Sequence, residues 1–150
     1  FDNFELAFDW KVSRQGNSGV MFRVTEEYDE PYFSGPEYQV IDDKEYPGEL
    51  TDLQLTGSNY DMHAAPADKI VNPVGEWNTS RLVVNGNHVE HWLNGSKTVE
   101  YEINSDDWKA RKKKSKWNDA KGYGQAKKGH IDLQDHGAEV WFKNIMIHPL

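Results

Sequence analysis

Residues 130–137 read HIDLQDHG, two histidines and two aspartates within eight positions. Such a cluster could ligate a metal ion, work as an acid–base pair, or face water as an ordinary polar strand. Spacing argues against the metal. On an extended chain residues i and i+2 share a face, so His130, Asp132, Gln134 and His136 lie together and Ile131 and Leu133 point the other way. His130 and His136 are then about 20 Å apart, too far to hold one ion on a regular strand. His88 and His91 fall on opposite faces of their own strand. The same alternation sets Arg23 opposite Val20, Phe22 and Val24, and sets Glu37 and Gln39 opposite Tyr38 and Val40. Three strands thus carry one apolar face each and one face able to do chemistry. Glu37 and His136 are candidate acid and base. Arg23 is either a candidate electrophile or a salt-bridge partner for Glu37. Gln39 and Gln134 supply amides for hydroxyl recognition. Together these groups suit a polyhydroxylated ligand, and Trp92, Trp108 and Trp117 offer the broad apolar faces on which sugar rings stack.

The elements that position them are almost all strands. Alternation predicts strands over 4–13, 18–25, 37–42, 130–136 and 139–148, with a meander over 80–103 turning at Asn85-Gly86 and Asn94-Gly95. The last strand is apolar on both faces, which predicts a central position. Residues 105–120 offer Ser105 as a helix cap with Asp106 and Asp107 behind it. They lack a helical apolar stripe, so one or two turns within a long functional loop are expected. Residues 43–76 are broken by Pro47, Gly48, Pro66 and Pro73 and read as irregular. Antiparallel strands without covering helices imply an all-β fold, a two-sheet antiparallel sandwich or jelly roll.

Composition sets bounds on function. The chain of 150 residues suits one domain, and its 6 Trp, 7 Tyr and 6 Phe favour pleated surfaces. A net charge of -8 argues against nucleic acid or an anionic membrane as partner. Residues 109–128 hold nine of the 17 Lys and Arg and read as a solvated loop. With no Cys, disulfides and thiolate metal sites are excluded. No apolar run reaches the roughly 18 residues of a membrane span. The sequons at Asn78 and Asn94 are short matches given no weight. The chain opens at Phe1 already inside an alternating pattern, so an upstream part, with any export signal, is expected.

Six segments together resemble a known family: NSGVMFR (17–23), GPEYQVIDD (35–43), GEWN (75–78), HVEHWLNG (88–95), SKW (115–117) and GHIDLQDHGAEVWFKNIMIHPL (129–150). The set looks like the bacterial 3-keto-disaccharide hydrolase family, from about Phe4 to Leu150, with LQDHG and the following FKNI strand its most specific part. The resemblance implies a concanavalin A-like jelly roll. It implies cleavage of glycosides already oxidised at C3, by C2 proton abstraction and elimination of the C1 substituent. It also implies a carbohydrate substrate and a periplasmic or secreted location. It adds His91 and Trp117 to the substrate contacts, although alternation places His91 with Val89 and Leu93. Such chemistry needs a base with a pKa near neutral, a cation, donor or metal at the enolate oxygen, and a proton for the leaving oxygen. No cofactor is demanded by any spacing, and a divalent metal is left open. Family members usually open with one or two further strands before the FELAFDW-like one, so one sheet is expected to be short of strands here. A non-catalytic carbohydrate-binding module on the same fold is the alternative. An ordinary glycosidase ranks below both, because it needs paired carboxylates and only Glu37 and Asp132, on different strands, are available.

Overall fold

The protein was described as a computed structural model covering residues 1–150. Its strands are β1 (Phe4–Val12), β2 (Asn17–Val24), β3 (Glu37–Ile41), β4 (Asn78–Asn85), β5 (His88–Leu93), β6 (Ser96–Glu102), β7 (His130–Leu133) and β8 (Val140–Pro149). They form two antiparallel sheets, ordered β6-β5-β4-β1-β8 and β3-β2-β7. The all-β sandwich expected from alternation is what forms. Phe4, Leu6, Phe8, Trp10 and Val12 of β1 all point inward and pack on Val20 and Phe22 of β2 and Tyr38 and Val40 of β3. Complete burial of each such side chain is worth roughly 1.5–3 kcal/mol. Two polar tips inside this core share one hydroxyl: Trp10 Nε1 donates to Ser80 Oγ at 2.8 Å, and Tyr38 OH lies 2.8 Å from the same Oγ.

The meander forms as its turns dictate, with one difference. At the second turn Asn94 and Gly95 both have positive φ, as a tight hairpin requires. At the first, Asn85 pairs with His88, so Gly86 and Asn87 are the loop residues, not Asn85 and Gly86.

Two further expectations are corrected. Residues Asp106–Lys114 form a helix, α1, longer than the one or two turns expected. Trp108 N donates to Ser105 Oγ at 3.1 Å, Arg111 bonds Asp107 at 2.7 Å, and buried Trp108 anchors the helix without any continuous apolar stripe. Strand β8 is not central but lies at the edge of its sheet, with Trp141, Ile145 and Met146 exposed. Its apolar residues on both faces have another cause. The register against β1 slips between Ala7 and Asp9, and Asn144 in β8 has a φ of 52°. Across that bulge the parity of the inward positions switches, so Val140 and Phe142 pack on the core at one end and Ile147 at the other.

Within the irregular 43–76 segment, a short stretch runs beside β3 and covers its free edge. Gly57 N donates to Gln39 O at 2.9 Å, Gln39 N to Ser58 O at 3.1 Å, and Tyr60 N to Glu37 O at 3.0 Å. The free edge of the small sheet is therefore paired, and every residue of β3 is buried.

Candidate active site

The outer face of the three-stranded sheet is the floor of a cavity of about 350 Å³, within the range of small-molecule sites. Register builds this floor. Gln39 sits opposite Gly19, whose carbonyl accepts from Gln134 N at 2.9 Å, so Gln39, Gly19 and Gln134 form one row. Glu37, Met21 and Asp132 form the next row. Glu37 leans diagonally out of its own row. A Cβ built on Gly19 would stand 1.8 Å from Glu37 Oε1, so the carboxyl group occupies the space that a side chain at 19 would take. A glycine inside a strand marks such close approaches.

Glu37 is 5 % exposed. Burial pushes its pKa up to about 8, the nearby Lys116 ammonium opposing this, and no hydrogen bond from the protein helps to hold the charge. It is a carboxyl poised to exchange a proton near neutral pH, aimed into a cavity. Asn17, on the same face, also lines the cavity, and its buried Oδ1 accepts no hydrogen bond from the protein.

The walls come from loops. Tyr32 and Phe33 belong to a short 3-10 turn, Pro31–Phe33. Tyr60 arrives with the segment that edges β3. Lys116 and Trp117 follow α1: Lys116 N donates to Asp61 Oδ2 at 2.8 Å, and Lys116 Nζ donates to Tyr60 OH at 3.0 Å from above the Tyr60 ring. Trp117 ends a column of stacked rings. It lies 4.9 Å from Tyr123, which lies 5.5 Å from Trp108, which lies 5.5 Å from Tyr101. That column fixes the plane of the indole, and Trp117 Nε1 donates to Tyr60 O at 3.3 Å.

Of the residues expected from the sequence, Glu37, Gln39, Gln134, His136 and Trp117 line this one cavity. The Gln39 amide is already engaged, donating to Gln54 O at 3.0 Å and accepting from Val40 N at 3.2 Å. His136 is exposed at the rim.

Arg23 is not there. The pairing of β2 with β7 slips between Phe22 and Val24, Arg23 takes a φ of 52°, and its side chain turns away to the N-terminal segment. Its Nε and Nη2 donate to Asp2 O at 3.0 and 2.7 Å. Arg23→Ala is expected to cost about 1–3 kcal/mol of stability, read by denaturant unfolding.

His91 is also elsewhere, fully buried between the sheets. Its Nδ1 lies 3.3 Å from Gly57 O, its Nε2 lies 3.3 Å from Tyr101 OH, and burial brings its pKa down to about 3. It is a neutral core residue, as its company with Val89 and Leu93 implied. Trp108 is buried in the aromatic column, and Trp92 lies on the outer face of the other sheet against Arg81, 4.4 Å away. Lys116, Tyr60, Tyr32 and Phe33 were not among the expected site residues, although Lys116 lies within the SKW segment (115–117) of the resemblance, because nothing local marks a loop residue that reaches over a distant strand. The glycine at 19, inside an otherwise regular strand, was the available signal for the perch of Glu37.

A separate group, His88, Glu90 and Glu100, brings its ligand atoms within 4.8 Å of one another. It sits on β5 and β6 of the other sheet, and the Lys97 ammonium already bonds Glu100 and lies 3.7 Å from Glu90.

Fold and site together describe a β-sandwich with a ligand cavity on its smaller sheet, floored by a buried carboxyl and walled by aromatic rings. The chain belongs to the 3-keto-alpha-glucoside-1,2-lyase-like domain family, which it matches over residues 1–148. It is 34% identical, over its full length, to the 3-keto-disaccharide hydrolase of Bacteroides thetaiotaomicron, of whose length it spans 59%. A solved putative glycosyl hydrolase from Parabacteroides distasonis superposes with a TM-score of 0.94 at 43% identity, covering all of this chain and 73% of that one. A second from the same organism gives 0.74 at 25% identity, covering all of this chain and 79% of that one. The carbohydrate binding module CBM66 of Bacillus subtilis, at 10% identity and a TM-score of 0.54, shares the fold alone; it covers 98% of this chain and 75% of that one.

Proposed function

We propose that this chain cleaves glycosides already oxidised to a ketone at C3, removing the C2 proton and expelling the C1 substituent. Glu37 carries the reading: a buried carboxyl with a pKa of about 8, without a hydrogen-bond partner, facing a cavity of sugar-ring size and character. The names of the family and of the Bacteroides relative support the same chemistry. A ketone at C3 acidifies the C2 hydrogen, because the charge left behind is delocalised onto O3. Glu37 takes that proton, and the C–H electron pair becomes the enolate. As the enolate collapses, a C1–C2 double bond forms and the C1–O bond breaks. His136 hands a proton to the departing oxygen, a role suited to an imidazole at the mouth of the site. Addition of water, with its hydroxyl to C1, its proton to His136 and the proton on Glu37 back to C2, completes a net hydrolysis and restores both groups. Lys116, held over Tyr60, replaces Arg23 as the positive charge for the developing O3 anion. Trp117, Tyr32 and Phe33 supply apolar surface for the ring faces.

Glu37 is the single carboxylate lining the cavity, which sets it apart from the paired acids of an ordinary glycosidase. The deciding experiment offers the protein a 3-keto-disaccharide and its unoxidised parent, with and without EDTA, and follows released monosaccharide. The keto form alone should be cleaved, and for a 3-keto-glucoside with a nitrophenolate leaving group, which needs no proton from His136, kcat/KM should rise with pH through about 8 as Glu37 ionises into its base form. Cleavage of the parent would return the case to ordinary glycoside hydrolysis. Sugar binding with no cleavage of either would favour the carbohydrate-binding module. Loss of activity with EDTA would assign the O3 charge to a metal instead of Lys116.

A further inference from the structure

A second cleft adjoins the cavity. It has a volume of about 580 Å³ and lies between the Pro31–Phe33 turn and β7, and Tyr32, Gln134 and His136 line both spaces. A ligand that fills both therefore crosses the line of these three side chains. The two spaces differ in character. The first holds one ammonium, Lys116, beside Glu37 and the amides. The second is lined by the carboxylates Glu30, Asp132 and Asp135 with no Lys or Arg, and Leu133 presents an apolar face that is 44% exposed. Asp132 stands in the row of Glu37 and Met21, on the edge strand β7. Asp135 is held in place by Gly137 N, which donates to its Oδ1 at 2.9 Å.

We propose that this second cleft is the leaving-group subsite, and that its carboxylates select neutral or cationic leaving groups and repel anionic ones such as uronates and sugar phosphates. The inference rests on the reading of the first cavity as the elimination site. With the keto-sugar over Glu37, its C1–O bond crosses at the shared boundary, where His136 can reach the departing oxygen. The leaving group then lies on Leu133 and the Tyr32 ring, its charge facing Glu30 and Asp132. Like charges this close to a partly enclosed ligand disfavour its binding, and salt weakens the effect.

The test compares kcat/KM for three 3-keto-glucosides of matched size, with glucose, glucosamine and glucuronate as leaving groups. The glucuronate should be slower by tenfold or more, chiefly through KM. Asp132→Asn combined with Glu30→Gln should recover most of that difference, and 0.5 M salt should narrow it. Equal values for all three would overturn the charge selection. A binding arm keeps the two readings apart. Calorimetry on the Glu37→Gln variant compares 3-keto-disaccharide with 3-keto-glucose, which needs no turnover. The disaccharide should bind at least tenfold more tightly, and Leu133→Asp should remove that advantage. If no keto-glycoside is cleaved but this binding difference holds, the elimination reading fails and the subsite stands. If cleavage occurs but disaccharide and monosaccharide bind alike, the subsite is wrong and the elimination reading stands.

Discussion

Glu37→Gln is expected to lower turnover of a 3-keto-disaccharide by about 10²–10⁴-fold, the contribution of a positioned general base, while leaving the protein at least as stable as the parent. Both halves follow from the same burial. The side chain is 5 % exposed, and the folded protein holds its pKa at about 8 against an ordinary 4.5. Between those values the unfolded chain has lost the proton and the folded one keeps it. The unfolded state therefore gains relative stability as pH rises from about 4.5 to about 8, and the deficit is constant above that. At 1.36 kcal/mol per pKa unit the deficit reaches at most roughly 5 kcal/mol. Glutamine has the same shape and no such titration. Thermal unfolding at pH 5 and at pH 8.5 should show the parent losing stability relative to the variant as pH rises. An equal response in both proteins, or a variant with full turnover, would remove Glu37 from the base role.

The second large effect is expected at a residue without a side chain. Gly19 lies mid-strand with ordinary extended backbone, so alanine is conformationally acceptable there. Space is what forbids it. The added Cβ would sit 1.8 Å from Glu37 Oε1 and 2.6 Å from Cδ, and the carboxyl group must leave its perch over the sheet. Because the obstructed atoms end a flexible side chain, the fold yields there first. The overpacking cost, about 1–3 kcal/mol, is partly offset by the better strand propensity of alanine. Gly19→Ala should thus give a folded protein with kcat/KM reduced by about 100-fold or more, a loss out of proportion to its shift in Tm. Retained activity would mean that Glu37 does not act from above Gly19.

Much of this architecture was legible without coordinates, for a reason visible in β1. Phe4, Leu6, Phe8 and Trp10 alternate with Glu5, Ala7, Asp9 and Lys11, and alternation is a local consequence of strand pleating that any partner sheet preserves. The turn at Asn94-Gly95 is local in the same sense, since positive φ is a property of those two residues. Glu37 and Gln39 were recoverable because parity is inherited along β3, and Gln134 because it continues the alternation one residue past the end of β7, while His136 lies beyond that strand and still lines the cavity.

Where parity breaks, the sequence alone misleads. Arg23 shares the parity of Met21, yet the bulge beside it turns the guanidinium to Asp2, and the bulge at Asn144 lets β8 look doubly buried while it lies at an edge. A bulge arises from how two strands fit each other, and neither strand records it. Lys116 and Trp117 depend still more on distant contacts, for they reach the cavity only because Asp61 and Tyr60 hold them over a strand far away in the chain. Local pattern therefore determined the sandwich, its inward faces and the identity of the acid on the floor. Packing between segments decided which cation stands over that acid, how deeply it is buried and hence where it titrates, because burial and charge proximity are sums over neighbours that only the folded chain brings together.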